Sequence, residues 1–145
     1  MAYRTLRKIV EHQKMLTAAP PKTSVREAAR LMKQTQVGAL LVGEHGHLVG
    51  IFTERDALLR VLAEGRNPET TQLADVMTLN PITIHPDQPF LSALHLMYEN
   101  GFRHVPVAEN GRPLGMVSAR DALELEAAEF ETIMHQREHL RAILA

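Results

Sequence analysis

Hydrophobic and polar positions follow the same order of spacings in the two halves of this chain. Apolar residues recur at helical spacing over residues 25–32 and again over residues 90–97. After each of these stretches come a short apolar run, a two-residue turn and a second apolar run. The turns are His45 with Gly46 and Asn110 with Gly111, and Asn-Gly between two apolar runs is a strong hairpin signal. The pattern therefore predicts a helix followed by a β-hairpin in each half.

Flanking residues extend this prediction to a complete unit. Ser24 followed by Glu27 is typical of a helix N-cap. Residues 15–19 and 81–85 each predict a short strand before the first helix, the second of them more clearly. Residues 54–64, ended by Gly65, and the residues from 119 onward predict a second helix. Each unit is thus predicted to run strand, helix, strand, strand, helix.

The two halves are copies of one another. A displacement of 65 positions aligns them without a gap and gives twelve identical pairs over residues 21–58, including Arg55-Asp56-Ala57-Leu58 with Arg120-Asp121-Ala122-Leu123. We assign residues 6–66 to the first repeat, 67–71 to a linker, 72–127 to the second repeat and 128–145 to a helical extension. One repeat alone has too little core for comfortable stability, so we expect the two to pack sheet against sheet. The predicted fold class is α/β (α+β): two β-α-β-β-α repeats in a pseudo-two-fold pair, plus a long C-terminal helix.

Composition narrows the possible functions. The chain has 145 residues, 45% of them hydrophobic, a formal net charge of −1 and no cysteine. A packed core is therefore expected, whereas disulfides, thiolate metal sites and cysteine nucleophiles are excluded. The balanced charge argues against nucleic acid as a partner, because affinity for phosphates comes mainly from Lys and Arg. Without a long apolar stretch we expect no membrane partner and a soluble, cytoplasmic protein.

The clearest candidate chemistry lies where each hairpin ends. Gly50 is followed by Thr53 and Asp56, and Gly115 is followed by Ser118 and Asp121 at the same spacing. A hydroxyl and a carboxylate at a strand-to-helix turn suit a ribose diol, and a helix N-terminus attracts phosphate. The same spacing is also a helix-capping signature that needs no ligand. The residues leave both interpretations open.

These tandem endings, together with the Ala-x-x-Leu-Met helices at 28–32 and 93–97, resemble a pair of CBS domains, known as a Bateman module. The resemblance covers roughly residues 6–127. It implies a ligand-sensing module for AMP, ADP or ATP, less often for S-adenosylmethionine or NAD, in which one repeat holds the ribose and the other the base. Carried over by position, it implies two sites. One joins Ser118, Arg120 and Asp121 to Thr17, Val37, Gly38 and Ala39; the other joins Thr53, Arg55 and Asp56 to Ile82, Thr83, Phe102, Arg103 and His104.

The two implied sites differ in charge. Gly38 and Ala39 leave room for a base and bring no charge, whereas Arg103 and His104 add positive charge suited to phosphates. Arg55 and Arg120 are further candidate cations, or exposed residues paired with neighbouring acids. We expect an adenosine-containing ligand, no obligatory cofactor, and leave open whether Mg²⁺ accompanies the phosphates. No metal site is expected, because His135 and His139 lack a third ligand in register.

Catalysis is not expected, because the chain offers no cysteine, no Ser-His pair at a recognisable spacing and no phosphate-binding P-loop. The output would then pass to a regulated protein in trans. The alternative is an interaction module whose nucleotide sites are vestigial. The C-terminal helix carries a broken apolar stripe, which we expect to pack on its own domain pair or to form a homodimer. Its members are Leu123, Ala127, Phe130, Ile133, Met134, Leu140 and Leu144.

Overall fold

The computed structural model describes residues 5–13 and 16–144, with the side chains of residues 125–130 outside the description. The elements are α1 (Leu6–Glu11), β1 (Ala18–Ala19), α2 (Val25–Thr35), β2 (Ala39–Glu44), β3 (His47–Thr53), α3 (Glu54–Asp56), α4 (Leu73–Val76), β4 (Thr78–Leu79), α5 (Phe90–Asn100), β5 (His104–Glu109), β6 (Arg112–Ser118) and α6 (Ala119–Leu144). A π-helical segment, Ala57–Leu62, continues α3. The order of elements confirms the predicted mixed fold of two repeats and a long last helix.

Helix α2 and helix α5 are equivalent, and each packs on the hairpin that follows it. The Ser24 hydroxyl accepts a hydrogen bond from the Glu27 amide at 3.1 Å, which confirms the predicted cap. Helix α5 ends at Gly101, whose φ of 71° lies in the left-handed region that glycine adopts without strain. Each helix buries the Ala and Met of its Ala-x-x-Leu-Met run: Ala28, Met32, Ala93 and Met97.

The two hairpins are built alike. Both turns have two residues with positive φ, 53° and 79° at His45 and Gly46 and 52° and 78° at Asn110 and Gly111. This geometry matches the twist of antiparallel strands. Both hairpins also shift register at equivalent positions, between Val42 and Gly43 and between Val107 and Ala108. Strands β3 and β6 lie against each other, and the Leu48 amide donates to the Gly111 carbonyl at 2.9 Å.

The short strands before the helices differ from the prediction. In the first repeat β1 pairs in parallel with β2, while Met15 of the predicted strand lies outside the described residues. Residues 81–85, predicted to be the clearer strand, contribute only a single parallel bridge between Ile84 and Val107. The bridge does not extend into a longer ladder, because the next donors would be the amides of Pro86 and of Pro106 on β5, and neither proline has an amide hydrogen.

Each repeat is completed by the short helix that precedes the other repeat in the chain. In α1, Leu6 and Val10 are buried in the core of the second repeat, although the sequence assigned residues from 6 onward to the first. In α4, Leu73 and Val76 are buried in the core of the first repeat. The two dockings use equivalent backbone bonds. The amides of Leu6 and Arg7 donate to the carbonyls of Gln88 and Pro86 at 3.0 and 2.8 Å, and those of Leu73 and Ala74 donate to Thr23 and Pro21 at 2.9 and 3.0 Å.

The exchange of α1 and α4 explains why a glycine, Gly50 or Gly115, lies three residues before the Thr or Ser at the end of each hairpin. A Cβ on Gly50 would lie 2.5 Å from the Met77 sulfur and 3.0 Å from the Thr78 carbonyl oxygen. A Cβ on Gly115 would lie 2.7 Å from Val10 and 2.6 Å from the Gln13 side-chain oxygen. Both glycines therefore face the segment that crosses over from the other half, and any larger residue would displace it.

Candidate functional site

A cavity of about 850 Å³ lies between the two repeats. The first repeat supplies the end of β3 and the helix after it, the second supplies the start of β5, and the segment after β4 closes one side. The lining residues are Ile51, Thr53, Glu54, Arg55, Asp56, Leu58, Leu59, Arg60, Thr78, Asn80, Pro81, Ile82, Gly101, Phe102, Arg103, His104 and Pro106. Seven of the residues expected at the second implied site are among them: Thr53, Arg55, Asp56, Ile82, Phe102, Arg103 and His104.

Thr53 and Asp56 form a reciprocal cap at the start of α3. The Asp56 amide donates to the Thr53 hydroxyl at 3.2 Å, and the Thr53 amide and hydroxyl donate to Asp56 Oδ2 at 2.9 and 3.1 Å. The Asp56 side chain is almost wholly buried, yet it lines the cavity. The capping interpretation of the motif is therefore realised here, and it leaves Oδ1 of Asp56 as the oxygen outside the cap.

Arg60 forms an ion pair with Oδ1 of Asp56. It is a residue of the site that was not predicted from the sequence. Its Nε lies 3.5 Å from Asp56 Oδ1, and its Nη1 donates to the carbonyls of Val76 and Met77, both at 3.1 Å. Asp and Arg four positions apart on a helix are a recognisable pair, so the spacing was available as a signal. The helix here widens to π-helical bonding, with the Ala63 amide donating to Leu58 at 2.9 Å. Arg60 thus links the cavity wall to the segment crossing from the other repeat.

Two other cations face the cavity without a carboxylate partner. Among the residues that the structure describes, Arg55 and Arg103 have no Asp or Glu oxygen within 4 Å, and both are exposed. Apolar surface lies beside them: Phe102 is half-buried, and Leu58 and Ile82 remain 54% and 46% exposed. A slot with apolar walls and two free guanidinium groups suits a flat ring that carries an anionic group.

His104 lies half-buried at the first position of β5, opposite Ser118 on β6. Burial lowers the pKa of His104 below its usual value, because the protonated ring loses hydration there. The carboxylates of Glu54 and Asp121 oppose this shift, and Arg103 adds to it. The ring is therefore neutral at neutral pH and lies within the field of groups from both repeats.

The other implied site, around Ser118, Asp121 and Gly38, is partly covered by a side chain. Ser118 and Asp121 form a similar cap, with the Ser118 amide donating to Asp121 Oδ2 at 2.7 Å. Gly38, expected to leave room and bring no charge, is covered by the Glu54 carboxylate, because a Cβ on Gly38 would lie only 3.1 Å from Oε1. The residue at the position of Glu54 in the second repeat is Ala119, which has no charge. The two halves therefore differ by a carboxylate as well as by Arg103.

The remaining expected residues lie outside the cavity lining. Thr83 is exposed, and the Thr17 carbonyl accepts the Leu41 amide at 3.1 Å in the β1–β2 pair. Val37 is half-buried and Ala39 fully buried at the start of β2. Arg120 is exposed, with Nε 3.9 Å from the Glu124 carboxylate.

No three His, Asp or Glu side chains in the described part of the chain are grouped to hold a metal ion. None of its helices is both long and apolar enough to cross a membrane.

Comparison with known proteins agrees with this architecture. The CBS domain family model matches residues 7–63 and 73–128, and the chain therefore belongs to the CBS domain family, with two copies in tandem. This confirms the resemblance drawn from the repeated endings.

Relatives and a solved structure give the breadth of the similarity. The chain is 40% identical over 105 residues to the mitochondrial CBS domain-containing protein CBSX3 of Arabidopsis thaliana, covering 69% of this chain and 51% of that protein. It is 32% identical over 126 residues to the uncharacterized protein MK0525 of Methanopyrus kandleri, covering 86% and 64%. The chain thus spans about half to two thirds of the length of these relatives.

The solved structure is the CBS domain pair of protein MJ0100 in complex with 5′-methylthioadenosine and S-adenosyl-L-methionine. It matches with a TM-score of 0.77 and 28% identity, covering 88% of this chain and 99% of that one.

Proposed function

We propose that this chain is a non-catalytic regulatory module that binds one adenosine-containing ligand in the cavity between its two repeats. The observation that carries the proposal is the cavity itself, with apolar walls on both sides and the free cations Arg55 and Arg103 at its edge. Support also comes from the MJ0100 domain pair, which is 28% identical and was solved with two adenosine compounds. The change in ligand occupancy is then passed to a separate protein.

The ligand pose follows from the chemistry of the walls. The adenine ring packs against Ile82 and Phe102, where exposed apolar surface is removed from water. The ribose lies toward Thr53, whose capping bonds to Asp56 fix the hydroxyl in place. The phosphates or an equivalent anion face Arg55 and Arg103. We propose a stoichiometry of one, because the Glu54 side chain covers Gly38 and takes up the room that a base would need at the other site.

The test is a calorimetric titration of the full chain with AMP, ADP, ATP and adenosine, with and without Mg²⁺. We expect Arg103→Gln and Arg55→Gln each to weaken binding of AMP by about ten- to hundredfold, since each removes a charged hydrogen-bond donor. Adenosine, which has no phosphate, should bind all variants alike.

The matched control for the titration is Arg120→Gln. Arg120 is the repeat equivalent of Arg55, is exposed and lies outside the cavity lining, so its loss should leave AMP affinity unchanged. If the Arg55→Gln and Arg103→Gln variants bind AMP as tightly as the unmodified chain, the assignment of the cavity is wrong. S-adenosylmethionine and NAD in the same titration identify the ligand within the adenosine class.

A second candidate is an interaction module with vestigial sites, favoured by the reciprocal cap of Thr53 and Asp56. The cap meets the hydrogen-bonding needs of these two side chains without a ligand. On this alternative no adenosine compound raises the melting temperature of the unmodified chain. Binding to the native state alone would raise it in a concentration-dependent way. A thermal-shift titration therefore separates the two candidates.

A further inference from the structure

Helix α6 continues well beyond the second repeat and is uncovered over its second half. It runs without a break over Ala119–Leu144, and every residue from 131 to 144 is exposed. Ile133, Leu140 and Leu144 leave 48%, 55% and 82% of their surface accessible. A helical arm without packing is only marginally stable in water, and a row of exposed apolar side chains marks an interaction surface.

Among the described side chains of α6, four of the six large exposed apolar residues fall on one row of a heptad pattern, and the other two, Met134 and Ile143, lie beside that row. Leu123, Ile133, Leu140 and Leu144 lie 10, 7 and 4 positions apart, which are sums of the alternating steps of three and four residues that define a coiled-coil seam. Arg137 lies in the same row. The sequence has Glu126 and Phe130 at the two remaining positions of this row. The seam is therefore apolar except for one acid in its first half and one base in its second half.

Charge along the helix is also divided between its halves. The first half carries five acids, Asp121, Glu124, Glu126, Glu129 and Glu131, with a single base, Arg120. The second half carries His135, Arg137, His139 and Arg141 with a single acid, Glu138. Two parallel copies of this helix would place like charges side by side. Two antiparallel copies place the acidic half of each against the basic half of the other, so the helix is complementary in charge to itself.

We propose that α6 pairs in antiparallel orientation with α6 of a second copy of this chain. In the register that follows, Leu123 faces Leu140 of the second copy, Phe130 faces Ile133, and Glu126 faces Arg137. Six of the seven seam positions then meet a partner of their own kind or of opposite charge, and Leu144 lies beyond them, opposite the start of the second copy's helix. A slide by one heptad would instead place Arg137 against Ile133, so the two symmetry-related Glu126–Arg137 pairs fix both register and orientation.

Sedimentation velocity of the full chain tests the charge pairing. We expect a species twice the mass of the Glu126→Arg and Arg137→Glu variants at the same concentration. Each single reversal should raise the dissociation constant at least about tenfold, because it sets like charges opposite one another twice per dimer. The double variant should regain the affinity of the unmodified chain. Glu138→Arg, the same change of charge outside the seam, serves as the control and should leave the affinity unchanged.

Cross-linking tests the orientation, and the absence of native cysteine makes it specific. The double variant Leu123→Cys, Leu140→Cys should form an intermolecular disulfide on mild oxidation. Leu123→Cys alone should not, since antiparallel pairing separates the two copies of that position by about 26 Å along the helix. Cross-linking of the single variant would indicate parallel helices and overturn the proposal. A sedimentation mass that is insensitive to both charge reversals would also overturn it, because the copies would then associate through another surface.

Discussion

At the scale of the residue, His104 makes the stability of the fold depend on pH. Burial lowers its folded-state pKa below that of the unfolded chain, while Glu54, Asp121 and Arg103 are the charged groups that act on the ring. Between the two pKa values the unfolded state binds more protons, so stability rises with pH. The contribution of neutral His104 is therefore complete above about pH 6.5 and is lost as the pH falls through the folded-state pKa.

We expect the unmodified chain to lose stability more steeply than His104→Gln between pH 7 and pH 5. Urea denaturation at closely spaced pH values gives the free energy of unfolding for both proteins, and their difference isolates the titration of this ring. Parallel profiles for His104→Gln and the unmodified chain would contradict the role assigned to burial.

The residues of the candidate site were predictable where they belong to a repeated motif. Thr53 and Asp56 were predicted because the displacement of the two halves aligns them with Ser118 and Asp121, and His104 was predicted from the resemblance to a pair of CBS domains. Glu54 was missed because its effect depends on where its carboxylate lies over Gly38, which no spacing along the chain indicates. Arg60 was missed although its spacing from Asp56 was visible, because its partners Val76 and Met77 come from a segment distant in sequence.

At the scale of the element, Gly50 marks the contact between β3 and the segment that crosses from the other half. We expect Gly50→Ala to destabilise the fold by about 1–3 kcal/mol, because the new Cβ would meet the Thr78 backbone oxygen at 3.0 Å. Gly43→Ala, in the neighbouring strand, would place its Cβ 3.4 Å from the His47 oxygen and is the matched control with a small expected cost. Chemical denaturation gives the free energy of unfolding of both variants. An equal loss of stability in the two would contradict the prediction, because the segment containing Thr78 would then move aside without cost.

The helices and hairpins were predictable because their signals are local. Helical spacing, the Ser24 cap and the two positive-φ turns each act within a few residues. The exchange of α1 and α4 was not predictable in this way. Both helices are short, and their apolar residues do not indicate which of two similar cores they join. The bridge at Ile84 fell short of the predicted strand for a related reason: strand length depends on neighbouring amides as well as on apolar pattern.

At the scale of the whole molecule, the exchange of short helices makes the two repeats interdependent. The first core contains Leu73 and Val76 from the chain that precedes the second repeat, and the second core contains Leu6 and Val10 from the chain that precedes the first. Neither core is complete if the other repeat unfolds and releases its crossing segment. The two walls of the cavity belong to halves that share their cores, so we expect the walls to unfold together.

We therefore expect damage to one core to destabilise both repeats equally. Leu6 is fully buried in the second core, so Leu6→Ala should cost about 2–5 kcal/mol, while Leu91→Ala on the exposed face of α5 should cost little. Calorimetry of Leu6→Ala should give one transition whose calorimetric and van't Hoff enthalpies agree. In hydrogen exchange, the most protected amides of β2 and of β5 should lose protection by the same free energy. Protection retained in β2 alone would mean that the first repeat stays folded without the second, because the exchanged helices would then not couple the two cores.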